Sequence, residues 1–228
     1  LHDALPRSEE RRVGKECNAN EPKENVFVRA SFHVDELLPG TRSRGLNTVL
    51  SAFVYEAASI VPRDGVRLKT SVWRRTPDFS IPSRAKVNGA YVNSVLARQD
   101  AIDSGYDDCI FLDASGHVAE LSAANIFIVR NGTLITPGQN IDILEGINRR
   151  TVLELAGDLG IPTEERAIDL TELYVADEVF VTGTSSFLSP VTVIDSRAIP
   201  SDGITKRLKE VYEESLTNPK TSKFLTQL

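Results

Sequence analysis

The segment NIFIVRNGTLIT, residues 125–136, constrains this chain more than any other. Asn131-Gly132 stands between two apolar runs. That dipeptide is the preferred two-residue hairpin turn, because both central positions need a positive φ. Antiparallel sheet therefore sits near the middle of the chain. Further strands read from alternation at VFVRASFHV (26–34) and VRLKTSVW (66–73), and from the short apolar runs CIFLD and HVAEL around the turn ASG. EVFVTGTSSFLSPVTVI (178–194) reads as strand, hydroxyl-rich turn and strand.

Helical spacing appears at YVNSVLARQDAIDSG, with Val92, Val95, Leu96 and Ile102 apolar and a stop at Gly105. GINRRTVLELAGDLGIP puts Val152, Leu155, Ala156 and Leu159 on one side and ends at Gly160 and Pro162. TKRLKEVYEESL closes as a helix, and Thr171 is offered as the cap of a short one in IDLTELYVAD. SAFVYEAASIV (51–61) favours a short helix, and TRSRGLNTV before it a loop. The pattern predicts a mixed α/β (α+β) fold, without the regular strand–helix alternation of a doubly wound sheet. VPRDG at 61–65 is a turn and a domain seam. The expected organisation is residues 26–62 as part of a small N-terminal domain and residues 66–228 as a larger C-terminal one.

Residues 1–25 are charged, lack a period, and read as a disordered or non-native leader. Met is absent and the chain opens on Leu1, which points to residues missing upstream.

Several function classes are disfavoured. Lys+Arg number 26 against 32 Asp+Glu, a net charge of -6, which argues against a nucleic-acid surface. No apolar run is long enough to cross a bilayer as a helix, and no signal-peptide pattern is present. Cys17 and Cys109 are the only cysteines, so no disulfide framework exists and a cytoplasmic location fits. His2, His33 and His117 lack ligand spacing, so no metal site is expected. Neither GxGxxG after a strand nor a P-loop occurs, and Ser185 and Ser186 lack a G-x-S-x-G context.

What remains is a scattered set. In AKVNGAYVNS (85–94), Lys86 is the one charged residue among small, amide and aromatic neighbours. Glu120 ends a strand among small and apolar residues. Gly146-Ile147-Asn148 opens a helix, whose free N–H groups favour an anion. Gly183-Thr184-Ser185-Ser186 supplies hydroxyls and amides in a tight turn. Taken singly, each has an ordinary reading: a solvated lysine, a paired carboxylate, a plain helix cap. Together an amine, a semi-buried carboxylate and two anion cups are what pyridoxal 5′-phosphate requires.

These stretches, with SVWRR, GYDDCIFLDASGHVAELSAANIF, ILEGINRR, ELYVADEVFVTGTSS and SPVTVID, make the sequence resemble the class IV (fold type IV) pyridoxal-phosphate enzymes. The likeness is greatest to the branched-chain amino acid aminotransferases, in order and spacing from about residue 26 to 210. The resemblance implies an N-terminal α/β domain, here incomplete, and a C-terminal pseudo-barrel. It implies pyridoxal-phosphate-dependent transamination of branched-chain L-amino acids with 2-oxoglutarate or glutamate, and a homodimer in the full-length form.

It also implies roles. Lys86 is the Schiff-base lysine and proton carrier. Tyr91 lies near the cofactor's phenolic oxygen, Glu120 pairs with the pyridinium nitrogen, Asn125 supports that side, and Leu144 packs on the ring. Ile147, Asn148 and Thr184 bind phosphate. The Thr184–Ser185 amides, Phe27 and Arg29 belong to the substrate end, where Arg29 receives a second carboxylate.

The departures are Phe27 for the usual Tyr, and Glu120-Leu121-Ser122-Ala123-Ala124-Asn125 for the family's E-G-S-G-E-N. The family's upstream segment, with an H-x-x-R-L motif that grips phosphate, is not found. Alternatives on the same fold are a D-amino acid or (R)-amine transaminase and aminodeoxychorismate lyase. A third is an inactive fragment lacking the phosphate-binding segment.

Overall fold

A computed structural model describes residues 26–36, 44–56 and 58–217; the leader expected over residues 1–25 lies outside them. The chain divides into two compact units, one ending at Ala58 and one beginning at Ser59.

The first unit is an antiparallel pair, β1 (Val26–Val34) and β2 (Thr48–Glu56), in register from Val26↔Glu56 to Val34↔Thr48. The helix expected over 51–61 is instead mostly the strand β2. Thr48, Val49, Phe53, Val54 and Tyr55 are β-branched or aromatic, and the ladder to β1 satisfies every position that the Ala and Glu residues leave undecided. Phe27 packs its ring on Tyr55, its register partner, with centroids 5.8 Å apart. Val28, Phe32, Leu50 and Phe53 are exposed.

The second unit opens with β3 (Val66–Arg74), α1 (Tyr91–Asp103), β4 (Asp108–Leu112) and β5 (Val118–Leu121). The hairpin follows as β6 (Asn125–Arg130) and β7 (Thr133–Thr136). Its turn residues have φ of 50° at Asn131 and 78° at Gly132, as the dipeptide requires. Then come α2 (Ile147–Asp158), β8 (Thr163–Glu165), α3 (Leu170–Tyr174), β9 (Glu178–Gly183), β10 (Phe187–Ile194), β11 (Arg197–Ala198) and α4 (Ile204–Thr217). Asp169, not Thr171, stands at the N-cap of α3; Thr171 lies inside that helix.

One sheet runs β5-β4-β3-β10-β9-β6-β7-β8, with β11 paired to β10. The β3–β4, β3–β10 and β7–β8 pairs are parallel and the rest antiparallel. The sheet must curl. β5 and β6 stand five places apart in it, about 24 Å if flat. The three residues that link them, 122–124, reach at most about 14 Å. A hydrogen bond of 2.8 Å from Leu121 N to Ala124 O fixes this link.

Curling gives the strands two buried faces, which is why CIFL and NIFIV read as unbroken apolar runs. Ile110, Leu112, Ile126, Ile128, Val179, Val181, Val66, Leu68 and Val191 fill one core. On the other face, Phe127 stacks on Phe180 at 4.9 Å, beneath Val152, Leu155 and Ala156 of α2 and Leu208 and Tyr212 of α4. Ala97 and Ala101 of α1 cover Cys109 and Phe111. The apolar spacing that marked α1 is not its buried face: Val92, Val95, Leu96 and Ile102 are exposed, and Ser94, Ala97 and Ala101 are buried. Small residues there let the helix lie close on the sheet.

Glu178, buried at the start of β9, caps α4 from outside that helix. Its carboxylate accepts from Ile204 N at 2.8 Å and Thr205 N at 2.7 Å. Glu178→Ala is expected to cost roughly 1–3 kcal/mol in urea unfolding, since two buried donors lose an ionic acceptor. An unchanged midpoint and slope would show that the contact carries no stability.

Candidate active site

Four separate segments of the second unit converge on a cavity of about 260 Å³. They are the loop before α1, the β5–β6 link, the loop leading into α2, and the end of β9. The curl makes this possible, because it brings the short β5–β6 link beside the end of β9. Gly183 is packed so closely there that a Cβ would lie 3.1 Å from Ala123 O.

Lys86, Tyr91, Glu120, Asn125, Leu144, Ile147, Asn148 and Thr184 all line this cavity. They span nearly a hundred residues of sequence, so their convergence is a property of the fold. Ser185 lies outside the lining; its carbonyl accepts a hydrogen bond of 2.8 Å from Ser59 Oγ. Phe27 and Arg29 lie on β1, in the first unit.

Glu120 is the buried polar centre, with its side chain 7% exposed. Oε1 accepts from Arg75 Nε at 2.7 Å, and Oε2 from Leu144 N at 3.1 Å and Asn125 Nδ2 at 3.3 Å. Asn125 Nδ2 also donates to Leu144 O at 2.9 Å, tying the carboxylate to the α2 loop. Burial pushes the Glu120 carboxyl up to about 7, against the opposing pull of Arg75, the Leu144 N–H and Lys86. Arg75, immediately after β3, was not singled out from the sequence. Its signal was the Arg74-Arg75 doublet ending a strand, where alternation sends neighbouring side chains to opposite faces.

Gly146 is dictated by this network. A Cβ at that position would fall 2.3 Å from Asn125 Oδ1. The glycine N-cap has no side chain, and α2 has no side-chain cap and no acidic residue in its first turn. The N–H groups at its start are therefore left for an external acceptor. Arg149, three positions after Gly146, is buried and anchors that turn to Pro137 O at 2.8 Å and Glu165 Oε2 at 2.6 Å. Lys86 sits on an exposed turn, and its amine makes no hydrogen bond or ion pair among the described residues. Thr182 and Ser83 also line the cavity, and their hydroxyls are buried without partners among the described residues. Cys109 is buried in a strand, and burial pushes its thiol up, as suits an inert core residue.

The arrangement joins a free amine, a buried carboxylate and an uncapped helix start. Comparisons with known proteins agree in kind. A profile of the family described as amino-transferase class IV matches residues 11–194. A probable branched-chain-amino-acid aminotransferase of Aquifex aeolicus is 44% identical over 198 residues, which cover 85% of this chain and 64% of the relative. The crystal structure of a branched-chain aminotransferase from Thermoproteus uzoniensis, with norvaline, superposes with a TM-score of 0.85 at 38% identity. That match covers 88% of this chain and 67% of the other. The branched-chain amino acid aminotransferase from Thermobaculum terrenum, in its PLP-form (holo-form), gives 0.75 at 34%, covering 83% and 63%. The chain thus spans less than two thirds of the length of such curated relatives. On the profile match and the shared fold, the chain belongs to the class IV aminotransferases.

Proposed function

We propose that the cavity is a pyridoxal 5′-phosphate site and that the whole protein transaminates branched-chain L-amino acids with 2-oxoglutarate or glutamate. The observation that carries this is Glu120. Its carboxylate is almost fully buried, lines the cavity, and accepts three hydrogen bonds, which leaves one acceptor site that a protonated pyridine nitrogen would fill. The donor set fits the rest of the cofactor. The relatives named above support the reading, as does the PLP-form of one of them.

When bound, the cofactor supplies an aldehyde that takes up the amino group and a ring that withdraws the electron pair left at the substrate Cα. Lys86 would hold the aldehyde end and would be the group that moves a proton at the substrate Cα. Glu120 keeps a proton on the ring nitrogen, and Arg75, Asn125 and the Leu144 N–H keep its carboxylate aimed. The N–H groups of Ile147 and Asn148, the Asn148 side chain and the Thr184 hydroxyl take the phosphate. Tyr91 would lie near the phenolic oxygen, Leu144 would pack on the ring, and the Thr184–Ser185 amides would take the substrate carboxylate.

The proposal is tested by reconstituting the chain with pyridoxal phosphate and adding L-leucine, D-alanine, an (R)-amine or aminodeoxychorismate separately. L-Leucine is expected to bleach the visible cofactor band. A response to any of the other three with none to L-leucine would overturn the branched-chain assignment. The screen matters because Ala124 lines the cavity where the family's usual run has Glu.

A further inference from the structure

Two of the segments around the cavity come from distant parts of the chain and serve as facing walls: that of Lys86, residues 83–91, and the loop into α2, residues 139–148. Residues 84–89 are all exposed, and the backbone of this segment makes short turn bonds, among them Ala85 N to Pro82 O, Val87 N to Ala85 O and Ala90 N to Val87 O. Arg84 joins the two walls. Its Nε donates to Glu145 Oε1 at 2.9 Å, and its Nη2 donates to Gln139 O. Its Nη1 lies 3.5 Å from Asp78 Oδ1. Asp78 extends the tie: its N donates to Asp142 Oδ1 at 3.0 Å, and its Oδ1 accepts from Ser83 N at 2.8 Å. Glu145 itself lines the cavity, immediately before Gly146.

We propose that Arg84 is a positioning residue, a latch that holds the Lys86 wall at a fixed distance from the start of α2. This rests on reading the cavity as a pyridoxal-phosphate site, because one ligand must meet the amine on one wall and the helix start on the other. A planar guanidinium suits that role, since it reaches a carboxylate and a carbonyl across the gap in a fixed fork, which a lysine cannot. Arg84 and Glu145 are 53% and 40% exposed, so the latch is open to screening and weakens as ionic strength rises.

The test has two arms on the full chain. In hydrogen exchange without cofactor, Arg84→Ala and Glu145→Gln are each expected to speed exchange on both walls, 85–90 and 141–148. The β4 and β6 amides serve as the folding control and should not change. In pyridoxal-phosphate titration, Arg84→Ala is expected to bind roughly fivefold more weakly at low salt and to lose part of the wild type's salt dependence. The double variant should bind no more weakly than Arg84→Ala alone, because that substitution already removes the bond to Glu145. A purely structural loss would be additive and would leave the salt slope intact.

Faster exchange confined to 85–90, or no change on either wall, overturns the latch. Equal cofactor affinity and salt slope in wild type and Arg84→Ala also overturn it, with the cofactor reading intact. If the wild type takes up no pyridoxal phosphate while both walls loosen in the variants, the cofactor reading falls and the latch stands.

Discussion

Lys86→Ala is expected to abolish transamination, by about 10³-fold or more, and to remove the visible absorbance of the cofactor bound to the protein. Lys86 lies on an exposed turn and supports no core contact, so unfolding free energy should stay within about 0.5 kcal/mol of wild type. The loss would then be chemical. Lys86→Arg sharpens the point: it keeps the positive charge, but a guanidinium stays protonated and cannot act as an amine nucleophile. Both variants should be inactive, and both should retain weakened cofactor in equilibrium dialysis, because Glu120 and the start of α2 remain. A visible band that persists in Lys86→Ala would move the reactive amine elsewhere.

Replacing Glu120 should damage both stability and chemistry. Arg75 and Glu120 are 10% and 7% exposed, and Glu120→Ala leaves the guanidinium buried without its carboxylate. This should cost roughly 3–5 kcal/mol in denaturant unfolding. Glu120→Gln keeps the shape and an acceptor for Arg75, so it should fold better yet lose activity by about 10²-fold.

The pH dependence separates burial from pairing. Burial raises the Glu120 carboxyl from its ordinary 4.5 to about 7 in the folded, ligand-free protein. The folded value lies above the unfolded one, so the stability it contributes is complete below about 4.5 and is lost as pH rises through about 7. Wild type should therefore lose stability relative to Glu120→Gln across that window. A constant difference between the two would mean that the pair with Arg75 balances burial, and a gain in wild-type stability that it outweighs burial.

The parts of this fold legible in the sequence are those where a local rule and the tertiary context agree. Asn131-Gly132 needed only its own backbone to declare a hairpin, and Gly160 with Pro162 ended α2 as expected. β2 was not legible, because Ala52, Glu56 and Ala57 carry helical preference and the ladder that decides the matter comes from β1. β8 is the polar run Thr163–Glu165, held by parallel bonds to β7 with all three residues exposed, so no apolar period marks it. The face of α1 misled for a related reason: closeness to the sheet selects Ser94, Ala97 and Ala101 over larger neighbours. In the site, Lys86, Glu120 and the glycine-led helix start stood out by isolation or local chemistry. Arg75 and Arg84 act across the fold and look like ordinary surface charges in sequence.

The parallel pairing of β3 with β10 has a consequence for synthesis. Val66 pairs with Val191, so β3 leaves the ribosome roughly ten seconds ahead of its partner at ordinary elongation rates. During that interval Lys86, then Glu120, then the start of α2 are added to the chain, with Gly183 and Thr184 only at its end, and β3 waits with an open edge. The site is thus a late product of translation. A nascent chain halted before β10 would carry every residue that holds the ring and the lysine, yet have no closed sheet to hold them together. Cofactor capture in a cell would then mark chains that have been made through Ile194.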